Sequence, residues 1–353
     1  MTDVTSAPPE PPEPSEPPER RKPARREPDD SEILRLGQIF NKGLGGIPIL
    51  LVLAFALSLT TDVFLTGTNL DNLGRQVSIY AILGVGELLV IVTAGIDLSV
   101  GSVVGIAGVV AAKAVFETSG ALPIAWAVLL ALASGALAGV INGVLVAVVR
   151  LPPFIVTLGM MGIARGVTLL LTGGRTIQPL PDGFSALAGG SVFGVANLTW
   201  LMLIVTAVVA FFLRRTVWGR YVYAVGSNAE SARLTGVPVR AVQISAYTLS
   251  GTLAALAGLL LASRLGNGVP TAGTGYELQA IAACVIGGAS LFGARGTALG
   301  ALVGALVVGL LDNGGTLLGI DPFWLQVFTG VLILAAVAAE KLQNVRGAAA
   351  VPS

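Results

Sequence analysis

The chain has 353 residues, 54% of them hydrophobic and 12% charged, with a net charge of +1 and a mean hydropathy of +0.83. Soluble domains usually carry about 25% charged residues, and 15 of the 41 here (21 Lys+Arg and 20 Asp+Glu) lie in the first 35 positions, so the body is expected to be an integral membrane protein. With no histidine, a single cysteine (Cys284) and no lysine in a glycine-rich phosphate loop, the sequence excludes a His-based triad, a Cys/His zinc site, an internal disulfide and a nucleotide-hydrolysing loop of its own. No cofactor and no metal are expected, and no nucleic-acid partner either, since the net charge is only +1 and the one basic run, Arg20 to Arg26, is diluted by neighbouring acids.

Residues 1–33 alternate Pro and Glu before a short basic run, with too little apolar surface to offset the entropy of ordering, and read as a disordered cytoplasmic tail. Residues 34–345 read as one transmembrane domain and 346–353 as a short C-terminal tail. Within the domain, apolar stretches of bilayer length fall near 47–65, 77–95, 98–116, 122–149, 154–172, 197–213, 242–263, 276–293, 297–313 and 322–339. The expected fold class is therefore all-α, a polytopic membrane protein of about ten transmembrane helices.

Two stretches look interrupted. TAGIDLSVGS (Thr93 to Ser102) places glycines and an aspartate between apolar runs, and the segment from Glu277 to Phe292 is short and broken at Gly287 and Gly288. The positive-inside rule favours ten spans with both termini in the cytoplasm, since this puts Arg150, Arg214, Arg215, Arg220, Arg233, Arg240 and Arg295 on that side. Glycines three or four apart, at 105/108, 135/139/143, 159/162/166 and 300/304, predict close helix packing in lipid.

The loop of residues 214–241 holds the pattern Ser227-x-x-Glu230, a capping box in which Ser227 takes the N3 amide and Glu230 returns to the serine amide. Gly236 is placed to end that helix in a left-handed conformation and Pro238 forbids its continuation. A helix of about two turns is marginal alone and must dock, either on its own spans or in a groove of another protein.

Ionisable residues at or near membrane depth are Glu87, Asp97, Arg165 and Asp312. Asp97 suits a carboxylate that caps the following helix or its free amides, and Glu87 paired with Arg165 would be structural as well. Ser99, Asn142, Thr157 and Gln279 are candidates to line a path for a hydroxylated solute, with Phe154 or Phe292 as constrictions. On the outer side, residues 173–197 form the longest loop, in which Pro179 to Asp182 turns the chain and a short helix carries Phe184.

Glu230, Ser231, Ala232 and Gly236, in the arrangement E-S-A-x-x-x-G, resemble the coupling helix that permeases of ABC importers insert into an ATPase subunit. TAGIDLSVGS, INGVLVAVVRLPPFIVTLGMMGIARG (Ile141 to Gly166), GRYVYAVGSNAESARLTGV (Gly219 to Val237) and CVIGGASLFGARGT (Cys284 to Thr297) are similar, in this order, to ribose-type monosaccharide permeases of the branched-chain amino acid/sugar permease superfamily. The resemblance covers about residues 40–340. It implies a type II importer permease in the bacterial plasma membrane, working with a second permease copy or paralogue, two ABC ATPase subunits and an extracytoplasmic sugar-binding protein. Ser227 and Arg233 would belong to the coupling helix, and Pro181 and Phe184 to the surface that meets the binding protein. An ion-gradient-driven secondary transporter is the rival, but it would need a relay of ionisable groups, and without histidine the chain offers only separated acids.

Overall fold

The computed structural model of the chain describes residues 46–118 and 123–349. The expected tail of residues 1–33, and 350–353 of the expected C-terminal tail, lie outside the described residues. In chain order the described elements are α1 (Ile47–Thr60), α2 (Gly67–Val92), α3 (Val100–Glu117), α4 (Ile124–Ala147), α5 (Pro153–Thr172), α6 (Asp182–Ser185), the two-residue strands β1 (Ser191–Val192) and β2 (Val195–Ala196), α7 (Asn197–Arg215), α8 (Val217–Ser227), α9 (Ala229–Leu234), α10 (Val239–Leu265), α11 (Tyr276–Ile286), α12 (Ala298–Leu317) and α13 (Pro322–Ala349).

Seven of these, α2, α3, α4, α5, α7, α10 and α12, are long and apolar enough to cross a membrane, while α1, α11 and residues 323–335 of α13 form shorter apolar helices. Each of the ten apolar stretches of the sequence therefore carries a helix. At a rise of about 1.5 Å per residue, eleven-residue α11 reaches only about 16 Å, half of a hydrocarbon core. The broken look of the sequence at Gly287 and Gly288 has this meaning: Gly287 ends α11 and Gly288 turns the chain at φ +85°.

α2 is the centre of the bundle, with every residue from Val77 to Val92 buried. A helix apolar on all sides belongs inside, and α2 packs against α10, α12, α11 and α7. It begins ten residues before the expected span. Thr66 caps its first turn by accepting from the Asn69 amide at 3.4 Å, and Asn69 and Asn313 exchange side-chain hydrogen bonds at 3.2 and 2.9 Å, tying α2 to α12. The polar start of α2 packs on the loop after α5, where Arg75 donates to the Ala188 carbonyl at 3.1 Å.

The most extensive helix contact joins α4 and α10. Gly135, Gly139 and Gly143 face the α10 backbone at Gly251, Tyr247 and Ile244, with no room for a side chain between them. The glycines of α5 differ: a methyl group on Gly159, Gly162 or Gly166 would meet nothing within 4 Å. Their regular spacing does not serve packing among the described residues.

Candidate functional site

The bundle has two ends with different content. One carries α8 and α9 together with the turns after α2 and α11. The other carries the β1–β2 hairpin, α6 and the turn after α10.

At the first end, residues 214–241, expected as a loop before the short helix, include the further helix α8. Thr216 caps it by accepting from the Gly219 amide at 3.0 Å, and its apolar side, Val222 and Val225, packs into the core beside Val92 and Ala232. Its end is fixed by close approach: a Cβ on Gly226 would collide with the Val92 carbonyl, which also accepts from the Ala294 amide at 3.0 Å. Tyr223 donates to the Gly296 carbonyl at 2.8 Å, and burial pushes its hydroxyl pKa up against the opposing pull of Arg214, so it remains a donor.

This placement corrects the expected capping box. Ser227 is the last residue of α8, and the cap of α9 is Asn228, whose side chain accepts from the Ser231 amide at 2.8 Å. Because α8 consumes Ser227, the extended residue required at a cap falls one position later, at Asn228 with φ −162°. Glu230 does not return to the serine; it pairs with Arg233 at 2.5 Å. That hydrogen bond, then the Glu230 charge, raises the Arg233 pKa. Gly236 adopts φ +86°, where its amide donates to Arg233 and the Val237 amide donates to Ala232, closing α9 as its sequence position suggests. Ala232 is buried against α8 while Ser231 and Gly236 are exposed, and Leu234 stands 79% exposed.

Inside the bundle next to this end lies a sealed polar cluster. The chain turns at Ala94 (φ +62°) and runs back as residues 93–99 before α3 starts. Glu87 Oε1 accepts from the Asp97 amide at 3.0 Å, and Asp97 Oδ1 accepts from both the Ser99 amide (2.9 Å) and the Ser99 hydroxyl (2.5 Å). Asn142 donates to Ser99 Oγ at 3.0 Å, and the Thr157 hydroxyl lies 3.2 Å from the Ile96 carbonyl. All five polar residues are at most 1% exposed. Three of the residues expected along a solute path thus sit around a backbone break rather than face a passage: Ser99 and Asn142 bond to each other and Thr157 bonds to the Ile96 carbonyl, while Glu87 Oε2 and Asn142 Oδ1 stay without a partner among the described residues. The expected constrictions Phe154 and Phe292 are 54% and 66% exposed, on the surface of the described residues.

The expected Glu87–Arg165 pair does not form. Arg165 instead donates to the carbonyls of Ala272 (3.1 Å) and Pro270 (3.4 Å), because the irregular backbone after α10 needs donors more than Glu87 needs a cation. The acids that looked separate in sequence, Glu87 and Asp97, are in fact joined through the backbone of the break.

At the hairpin end, Phe184 departs from its expected place on a docking surface. It is 0% exposed, and its carbonyl and that of Ser185 accept from Ser263 of α10 at 2.7 and 3.2 Å, which pulls the one-turn helix α6 down onto the bundle. Pro181, half-buried, is the residue before α6. The most exposed aromatic of this end among the described residues is Phe193, 94% exposed at the hairpin tip, beside Trp200, whose indole donates to the Val192 carbonyl.

Below it lies a second polar cluster, which joins Asp312 and Gln279, both expected near membrane depth, to Gln76 and Tyr80, for which no such place was expected. Tyr80 donates to Asp312 Oδ2 at 2.8 Å, Gln279 donates to the same oxygen at 3.3 Å, and Gln76 donates to Tyr80 at 3.3 Å. Tyr80 meets Tyr276 edge to face with ring centroids 5.3 Å apart. The spacing of Gln76 and Tyr80, one helical turn apart, was the available signal, hidden inside an apolar run.

The chain matches, over residues 69–337, the family described as branched-chain amino acid transport system / permease component. It belongs to this family. The ribose import permease protein of Escherichia coli K12 is 45% identical over 295 residues, covering 82% of this chain and 90% of the relative. The fructose import permease protein of Rhizobium meliloti is 40% identical over 325 residues (89% of each), and the galactose/methyl galactoside import permease protein of Escherichia coli K12 is 37% identical over 319 residues (86% and 95%). No solved structure matches the chain at a significant level. The permease is a multi-pass membrane protein, all-α among its described residues apart from one two-residue hairpin.

Proposed function

We propose that this permease is the translocating subunit of an ATP-driven importer of a monosaccharide, with α9 as the element that receives the motion of a partner ATPase. The single observation that carries the reading is the build of α9. It is a six-residue helix, fixed at both ends by Asn228 and Gly236, anchored on α8 by Ala232, and offering Glu230, Arg233 and Leu234 to a partner. A helix this short has no stability of its own, so its rigid seating suits a lever rather than a loop. Identity to ribose, fructose and galactose import permeases supports a sugar as cargo and a sugar-binding protein as donor.

In this reading the chain hydrolyses nothing, a second copy or paralogue completes the pore, and the α8–α9 end faces the cytoplasm together with both termini. The hairpin end then faces outward, and Phe193 rather than Phe184 is the aromatic available to a binding protein. ATP-driven uptake of ribose, measured beside the amount of inserted permease, is the test. Gly236→Pro fixes φ near −65° where +86° is needed, and Glu230→Lys reverses a charge at the lever. Both should leave insertion intact and abolish uptake; normal uptake by either variant would sink the lever. Uptake that survives ATP depletion but collapses with an uncoupler would instead identify a secondary transporter.

A further inference from the structure

Irregular backbone at membrane depth is tolerated only where protein buries it or where it lines a watery cavity. The segment between α10 and α11, residues 266–275, meets both conditions at once. Near its start, Gly268 pairs with Ile177 of the loop after α5 and lies against Ala112; farther along, Gly273 lies against Gly101. Ala112 and Gly101 are eleven residues apart on α3, so the segment descends about 16 Å into the bundle. On one side Arg165 holds its carbonyls at Pro270 and Ala272. On the other side is a cavity of about 500 Å³ that no role so far described uses.

The cavity is lined by Gln76, Tyr80, Arg264, Thr271, Thr274 and Tyr276, with shorter apolar walls between them. Two tyrosine rings at right angles present both a face and an edge, and an aromatic face attracts the weakly positive C–H groups of a sugar ring. Arg264 makes no ion pair among the described residues and brings up to five donors in a planar fork. One link behind Tyr80 lies the Asp312 carboxylate, and the neighbouring Gln279 Oε1 is buried with no partner. A cation and a carboxylate together, beside amide, hydroxyl and aromatic groups, match a neutral solute rich in hydroxyls better than an ion of either sign.

We infer that this descending cavity is a transit site for a monosaccharide ring, entered from the hairpin end, with Tyr80, Tyr276, Gln76 and Arg264 in contact with the sugar and Arg165 as the residue that positions its rim. The inference rests on the import reading above and adds where the cargo pauses.

The complete importer, with its ATPase and binding protein in liposomes, tests it through the number of sugar molecules taken up per ATP hydrolysed. Thr274→Cys places a thiol on the rim, and the only native cysteine, Cys284, is buried. A maleimide attached there should lower the ratio for ribose, fructose or galactose, whichever the wild type carries, at least about tenfold relative to the same variant unlabelled. Tyr276→Ala, which needs no reagent, should lower the ratio as well and change the order of preference among the three sugars. An unchanged ratio after complete labelling and in Tyr276→Ala overturns the site. So does a parallel fall of uptake and hydrolysis, because the label would then act on docking or folding. If the wild type carries a sugar acid and none of the neutral sugars, the site is not of the class stated here. If it carries no sugar at all, the import reading itself falls.

Discussion

Two polar clusters sit inside the same apolar bundle, and they are used differently. Glu87, Asp97, Ser99, Asn142 and Thr157 have essentially no exposure and bond mainly to one another and to residues 93–99. Gln76, Tyr80, Arg264 and Tyr276 are of similar chemical kind, yet they line a cavity. The difference comes from where each irregular segment finds its partners. The break after α2 has unpaired amides, and only carboxylate and hydroxyl side chains beside it can receive them, so that cluster closes. The segment after α10 has its carbonyls at Pro270 and Ala272 held by Arg165, which is not part of the cavity lining, so the side chains of the lining bond to one another rather than to that backbone. A polar residue at membrane depth is therefore structural when the backbone next to it is starved of partners, and available for cargo when that need is met from elsewhere.

The comparison breaks most visibly at Asp97. Asp97→Ala leaves the Ser99 amide and hydroxyl without an acceptor in an apolar setting, at about 1–3 kcal/mol for each group. The expected outcome is a loss of about 3 kcal/mol or more, seen as a lower Tm in detergent and a smaller monodisperse fraction on size exclusion. An Asp97→Ala protein as stable as the wild type but unable to carry sugar would place this cluster on the path instead.

A smaller effect is expected at Asn142. Its amide donates one hydrogen bond, to Ser99 Oγ, while its Oδ1 has no partner. Interhelical hydrogen bonds in membranes contribute about 0.6 kcal/mol on average. Asn142→Ala should therefore cost about 1 kcal/mol once the lost packing is included, read as a modest fall in Tm with uptake still measurable. A loss as large as that of Asp97→Ala would mean that the carboxylate is not the centre of the cluster.

How much of this was legible beforehand follows the range of the forces involved. The apolar stretches, the stop at Gly236 and Pro238, and the glycine row of α4 are local patterns, and each appears in the fold, although α2 starts ten residues early and α11 stops at Ile286. The cap at Asn228 was misread because Ser227 and Asn228 are both good caps, and only the packing of Val222 and Val225, which carries α8 through Ser227, decides between them. α8 itself has no run of span length and its polar residues imitate a loop. The sealed cluster joins three helices to the break after α2, and the second cluster joins four helices, so chemistry alone grouped Ser99, Asn142 and Thr157 correctly but assigned them to the wrong surroundings. Phe184 was misplaced for the same reason, since nothing near it in sequence announces Ser263.

The finest separation of the two clusters lies at Tyr80. Its hydroxyl donates to Asp312 and accepts from Gln76, so in a sealed site Tyr80→Phe would cost as much as a buried unpaired acceptor. Asp312 Oδ2, however, keeps its bond from Gln279, and the cavity beside Tyr80 gives the freed groups access to water. Tyr80→Phe should then cost no more than the net worth of one hydrogen bond, about 1 kcal/mol, while its effect appears in transport, as a shift in the relative uptake of ribose, fructose and galactose. The edge-to-face contact with Tyr276 needs only the ring and survives the substitution, which confines the change to hydrogen bonding. A drop in Tm with no change in sugar preference would show that the hydroxyl holds α2 to α12 and nothing more, and the cavity would lose its claim to be different from the sealed cluster.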